Sequence, residues 1–366
     1  MPVINRLIGY LVRHTDRYLF TVICILLLVG LLTLYSASGG SMERVGAQAI
    51  NIVVALIVMW AAANVPLHYL SKIALPLYAV GIVLLVAVAL GGEVVNGARR
   101  WLNLGITRIQ PSELMKIALP LMLAWYFDRY EAILKLRDYA IGAALIAVPA
   151  GLIVSQPDLG TALLISAAGF YVLFLAGLSW KVLVGLTVAG GASLPFAWSM
   201  LHDYQRQRVL TLLDPSQDPL GAGYHTIQST IALGSGGIVG KGWLNGTQGQ
   251  LDFLPERTTD FIFAVYAEEF GLLGNVVLLV LFLLVIGRGL VIAANAPTLF
   301  TRLLAGAVTL TFFTYAFVNM GMVCGILPVV GVPLPLISYG GTSLVTLLFG
   351  TGLLMSIHTH RRLVQT

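Results

Sequence analysis

Six ionisable side chains fall between residues 252 and 269 of a chain that otherwise carries few: Asp252, Glu256, Arg257, Asp260, Glu268 and Glu269. Carboxylates grouped in this way can take a proton from an attacking hydroxyl, and nearby cations can steady an anionic leaving group. Glu113 and Lys116 form a second set. They lie three residues apart behind Pro111, which suits a first helical turn and puts both on one face. Charges inside apolar runs are costly, so Glu113, Lys116, Glu268 and Glu269 are candidate functional groups by position alone. Two readings stay open for them: an ion-pair lock between the fourth and eighth apolar segments, or an active site or transport path. Asp260 opens the eighth segment, where a helix dipole favours a carboxylate and Lys116 is within reach. Both would keep it ionised but restrained, so a base at Asp260 requires that pairing to loosen when substrate arrives.

The elements that must position these groups are set by composition. The chain has 366 residues, 58% of them hydrophobic and 10% charged, against roughly a quarter charged in soluble domains. Its mean hydropathy is +0.90. Long uncharged runs recur throughout, which predicts an all-α polytopic membrane protein, one integral membrane domain over residues 1–366. Ten spans are expected, at 18–36, 45–64, 69–90, 111–127, 139–155, 160–178, 181–200, 260–287, 301–326 and 341–358. Arg6, Arg13 and Arg17 before the apolar run 18–35, with Ser36-Ala37-Ser38 after it, imitate a signal peptide. The length of the run favours a retained first span. Cys24 and Cys324 sit in apolar segments near opposite faces and are expected to be packing residues. The net charge of +5 is spread over many short loops, which argues against a nucleic-acid surface.

Ten spans put both termini on one side. With the termini inside, twelve Lys and Arg lie inside and eight outside, Lys116 being within a span. Seven of the eight outer cations fall in two loops, 91–110 and 201–259. The second loop is the longest connection and is too rich in aromatic and helix-forming residues to be a linker. It is expected to be partly helical, with a helix at 224–233, and to fold back over the outer face.

Within it, GSGGIVGKGW (234–243) resembles a phosphate loop only superficially. Ser235 stands at the first glycine position and Gly242 follows Lys241 where Ser or Thr is needed. A flexible turn that lets the backbone approach a ligand or the bilayer is the better reading. His202, Asp203 and His225 lack zinc-type spacing, although carboxylates and a substrate phosphate could still share a hard divalent cation, Mg or Mn. Arg99, Arg100 and Arg108 with Trp101, and Arg206 with Arg208, suit either a phosphate-bearing lipid or anionic headgroups. An outer-face reaction has no nucleotide to draw on, so its energy must reside in the substrate. The residues by themselves point to lipid-phosphate chemistry or lipid transport on that face.

Six blocks resemble the SEDS family (shape, elongation, division, sporulation) in family order: QPSELMKIALPLMLA (110–124), SQPDLGTALL (155–164), DYQRQRV (203–209), DPLGAGYHTIQSTIALGSGGIVGKGW (218–243), LPERTTDFIFAVYAEEFG (254–271) and GILPVVGVPLPLISYGGTS (325–343). The resemblance is to its elongation type and implies an inverting peptidoglycan glycosyltransferase of the bacterial inner membrane. Its substrate would be lipid II, polymerised into β-1,4 glycan on the periplasmic face with release of undecaprenyl pyrophosphate. The family's TDFIFA aspartate is Asp260, the expected general base. Trp101 would shape the substrate groove, and Glu113 and Lys116 come from the PSExxK motif, Lys116 as partner of Asp260. Asp252, Glu256, Arg206, Arg208 and Lys241 would support the site. The resemblance also implies a partner, a class B penicillin-binding protein acting as elongation transpeptidase within the rod complex. Two rival expectations are a lipid II flippase and a non-catalytic scaffold for that transpeptidase.

Overall fold

A computed structural model of the protein describes residues 15–95, 98–103, 108–130, 134–200, 203–215, 222–250, 254 and 256–364. Helices stand at all ten expected positions. The first seven are α1 (Arg17–Ala37), α2 (Met42–Ala63), α3 (Leu67–Gly91), α4 (Pro111–Arg129), α5 (Leu136–Val154), α6 (Leu159–Leu175) and α7 (Trp180–Met200). The long connection carries α8 (Asp203–Leu213), α9 (Ala222–Ser235) and α10 (Thr247–Gln250). The last three are α11 (Ile262–Ala294), α12 (Leu299–Val323) and α13 (Thr342–Val364). Among the described residues, α1, α2, α3, α5, α11, α12 and α13 are long and apolar enough to cross a membrane. The protein is a multi-pass membrane protein.

Short polar side chains start several of these helices, because a helix N-terminus leaves backbone donors unpaired. Asp16 accepts from Leu19 N (2.9 Å), Asp158 from Thr161 N (3.2 Å) and Thr298 from Thr301 N (3.2 Å). Asp128 at the end of α4 also takes Phe300 N (2.8 Å), which fastens α4 to the start of α12. The bundle is built around α12, 72% of whose apolar window is buried, against 17% for α5 at the periphery. The first helix is part of this core: Leu19, Ile23, Leu26 and Leu34 are fully buried. At one end of the bundle, Asp16 before α1 pairs with Arg288 of α11, and His358 of α13 lies 3.4 Å from the same carboxylate. The two cysteines are free thiols.

At the other end, called the loop end here, a small antiparallel sheet stands within the expected 91–110 loop. Its strands are β1 (Glu93–Val95), β2 (Ala98–Asn103) and β3 (Arg108–Ile109), in that order. Strands this short give no usable alternation of polar and apolar residues. Arg100 of β2 donates to Pro157 O (2.9 Å) and faces Asp158 (3.5 Å), which ties the sheet to the start of α6.

The most consequential departure from regular geometry is in α11. Gly271 has φ 61° and ψ −160°, which breaks the helix into 262–270 and 272–294. An unbroken helix would bond Leu272 N to Glu268 O and Leu273 N to Glu269 O. Instead Leu272 N donates to Gly237 O (2.9 Å) and Leu273 N to Ile238 O (3.0 Å). The freed carbonyls of Glu268 and Glu269 accept from Lys241 N and Gly242 N, both at 3.0 Å. Backbone 237–242 is thus spliced into the helix, and the four polar groups of these two bonds find partners. The glycine-rich stretch makes its close approach to the backbone of α11, where a ligand or the bilayer was expected. A Cβ on Gly240 would sit 2.1 Å from Glu269 O, and Gly240 has φ +81°. The segment 272–294 alone is about 34 Å long, more than the roughly 30 Å hydrocarbon core.

Gly240→Ala should lower stability by about 2–3 kcal/mol, from the left-handed backbone and the displaced splice bonds. Gly287→Ala, in the same helix with nothing within 4 Å of its added Cβ, should be neutral or gain up to about 1 kcal/mol. Thermal unfolding in detergent compares the two.

Candidate active site

Asp260 ends a turn over 256–261 that precedes the first residue of α11. Three successive carbonyls of this turn are held from outside. Thr258 O accepts from Tyr339 N (2.9 Å) and Thr259 O from Ser338 Oγ (2.6 Å). Asp260 O accepts from Asn319 Nδ2 (2.8 Å), and the same amide donates to Val332 O (2.7 Å). Asn319 is fully buried in α12. Gln48 of α2 in turn holds the 338–340 backbone through Ser338 O (3.3 Å) and Gly340 N (3.2 Å). Asp260 is half-buried. Its Oδ2 would lie 3.5 Å from a Cβ on Gly331, so loop backbone passes close beside the carboxylate. Glu256 shapes the turn itself: its side chain accepts from Thr259 Oγ1 (2.9 Å), and its carbonyl accepts from Thr259 N and Phe261 N.

Lys116 and Glu113 pair on one face of α4, as their spacing requires, at 2.5 Å. Lys116 is buried, and its ammonium lies 5.2 Å from the centre of the Tyr315 ring. Such a cation–π contact adds to the ion pair in a desolvated place. Tyr315 and Asn319 are one turn apart on α12, about 6 Å along the axis. One helix face therefore receives both the Lys116 pair and the carbonyl of Asp260. Among the described residues, the second oxygen of Glu113 is buried without a hydrogen-bond partner.

Glu268 and Glu269 do not lock α11 to α4. Glu268 is fully buried and turns to the loop: it accepts from Lys241 Nζ (2.7 Å), Thr247 N (2.8 Å), Thr247 Oγ1 (2.9 Å) and Gln248 N (3.1 Å). Glu269, also buried, takes the hydroxyl of Ser36 at the end of α1. The expected lock exists, but its second half is the 241–248 segment and α1. The reason is the Gly271 break, which swings this part of α11 against the spliced loop.

The remaining expected site residues divide. Trp101 lies half-buried in β2, paired in register with Glu93. Arg206 donates to Trp198 O (3.1 Å) and Ser199 O (2.8 Å), closing the end of α7. Arg108 is taken by Glu93 at 3.3 Å. Arg208 is in α8, its side chain outside the described part; Asp252, His202 and the side chain of Asp203 lie outside it as well. His225 stacks on Phe261 at 5.6 Å, next to Asp260 in the chain. Among the described residues no three His, Cys, Asp or Glu side chains converge to hold a metal ion. The sequence reading missed Asn319, Tyr315 and Ser338. It weighed charges in apolar runs, whereas an uncharged Asn in a buried span marks a polar obligation just as firmly.

The chain matches the FtsW/RodA/SpoVE family model, described as cell cycle protein, over residues 16–363. It is 53% identical over 355 residues to peptidoglycan glycosyltransferase MrdB of Escherichia coli (strain K12), covering 96% of this chain and 95% of that one. It is 37% identical over 343 residues to MrdB of Helicobacter pylori (strain J99), covering 91% and 87%. The rod shape determining protein RodA of Thermus thermophilus has a similar structure, with TM-score 0.72, 31% identity and coverage of 95% and 97%. A chain in a structure described as "Structural coordination of polymerization and crosslinking by a peptidoglycan synthase complex" gives TM-score 0.83 and 34% identity, covering 95% and 98%. The chain belongs to this family, the SEDS family whose motifs it carries.

Lys116→Met leaves the largely covered Glu113 carboxyl without its partner, and should cost about 3–5 kcal/mol; adding Glu113→Gln should recover most of that loss. A double-mutant cycle of thermal unfolding in detergent measures both steps.

Proposed function

We propose that this protein is a peptidoglycan glycosyltransferase that polymerises lipid II during cell elongation, with Asp260 as general base. The observation that carries the assignment of the base is the held turn: a carboxylate at the loop end whose own and two preceding carbonyls are each fixed by Asn319, Ser338 and Tyr339. A base must meet its proton within hydrogen-bond reach, and a turn held at three points gives that geometry without reorganisation. The 4-hydroxyl of an acceptor GlcNAc attacks C1 of the donor MurNAc as Asp260 takes its proton. The C1–O bond to the diphosphate breaks, its electron pair leaves with undecaprenyl pyrophosphate, and the configuration at C1 inverts in one displacement.

Several outer-face cations expected to meet the diphosphate have other duties in the fold. Lys116 is paired with Glu113, Lys241 with Glu268, Arg100 with Asp158 and Arg108 with Glu93, while Arg206 closes α7. Arg99 is exposed on β2 and is our candidate for that contact. A divalent cation, which Asp260 could help to hold, would be the alternative source of positive charge. Trp101, in the same strand as Arg99, would line the substrate groove. The membrane is the bacterial inner membrane, with both termini cytoplasmic and the loop end periplasmic. The expected partner is a class B penicillin-binding protein, which the similarity to a chain of a polymerising and cross-linking complex supports. The flippase reading gains nothing from the geometry, because the charges it would use as a path are engaged in pairs near the loop end.

The full chain purified with its transpeptidase should build glycan ladders from labelled lipid II in detergent. Asp260→Ala, folded as judged by its thermal midpoint, should lose at least about 100-fold in rate. Ladders of undiminished strength would move the base to another carboxylate, Asp252 or Glu256 first. Loss of the wild-type ladders on chelation, with recovery on adding Mg or Mn, would give the diphosphate contact to a cation rather than Arg99.

A further inference from the structure

The break at Gly271 leaves residues 262–270 as a short rod of roughly 13 Å, with the Asp260 turn at one end and Glu268 near the other. Helix continuity alone does not orient this rod, because two of the bonds that would join it to 272–294 have been given to the loop. Its outer end is fixed by the carbonyl clamp and by His225 stacked on Phe261. Its inner end is fixed by the 237–248 segment, together with Ser36 of α1 on Glu269 and the Tyr266 hydroxyl, which donates to Gly274 O (2.9 Å) across the break. Lys241 is bound twice by one residue there: its backbone N–H to Glu268 O at 3.0 Å, and its ammonium to Glu268 Oε1 at 2.7 Å. Thr247 and Gln248 add three further donors to the same carboxylate. Glu268 is inaccessible to solvent, whereas the Lys241 side chain is 30% exposed.

We propose that Glu268 and Lys241 are positioning residues for glycosyl transfer: their bond pins the inner end of the rod and so sets where Asp260 stands against the acceptor hydroxyl. This rests on Asp260 as the base. Neither side chain touches substrate; both act through the rod. If the pin is loosened, the rod is free to tilt about its outer clamp. A shift of about 1 Å at a reacting group is enough to cost on the order of 100-fold in rate. The loss belongs in kcat, since the surfaces that bind the lipid-linked substrate are left in place.

The test uses the full chain with its transpeptidase and reads kcat and KM for lipid II, normalised to folded protein by size exclusion and thermal midpoint. Glu268→Gln and Lys241→Met should each lower kcat per folded molecule by about 10- to 100-fold with KM within about threefold. Lys241→Arg, which keeps the charge, should return kcat to within about threefold of wild type. A brace needed only for folding would lower the folded fraction and leave kcat per folded molecule unchanged, and that result in Lys241→Met overturns the proposal. So does a raised KM with kcat intact, which would make Lys241 a substrate contact. Should Glu268→Gln fail to fold, Lys241→Met carries the test, because it alters the pin from its exposed side. The two readings fail separately. Activity in Asp260→Ala removes the base, whereas full kcat in Lys241→Met removes the pin and leaves the base in place.

Discussion

Buried backbone polar groups must be paired, and α11 is interrupted at Gly271. The structure depends on how that debt is settled. Two helical bonds are absent at Gly271 and four bonds to backbone 237–242 replace them. An unpaired N–H or C=O in such a place costs about 1–3 kcal/mol, so a break with four open groups would not persist unaided. The splice makes the break tolerable, and the break makes the rod that presents Asp260. The long connection between α7 and α11 is therefore an integral part of the bundle, seated in the helix that follows it.

The same logic of satisfied polar groups runs outward to the site. Asn319, buried in an otherwise apolar helix, uses one amide for two carbonyls, those of Asp260 and Val332. Ser338 accepts from Leu334 N and donates to Thr259 O. Each contact is of ordinary strength, about 1 kcal/mol net. Together they leave the Asp260 turn little freedom, because they come from α12 and from the 330–341 loop, which Gln48 holds in turn. Preorganisation of this kind serves a base that must be in place before the acceptor arrives.

Much of this was legible in the chain, for stated reasons. Apolar runs near the membrane's thickness mark spans directly, and helices stand at all ten positions. Pro111 and the three-residue spacing placed Glu113 against Lys116. What escaped depended on partners distant in sequence. Lys241 stands 27 residues before Glu268 in a stretch whose glycines suggested suppleness; they are there because backbone meets backbone. The three short strands at 93–109 carry no periodicity. Asn319 was passed over because it bears no charge, although burial makes its amide as demanding as many charges.

The central claim is that the held turn delivers Asp260 to the acceptor hydroxyl. It is tested most directly by determining the structure of the protein bound to a non-transferable lipid II donor together with an acceptor glycan. The account predicts an Asp260 carboxylate oxygen within about 3.2 Å of the acceptor 4-hydroxyl, directly or through one water. It also predicts that the Asn319, Ser338 and Tyr339 contacts to the turn stay intact. A 4-hydroxyl held by a different carboxylate, with Asp260 well out of reach, would contradict it.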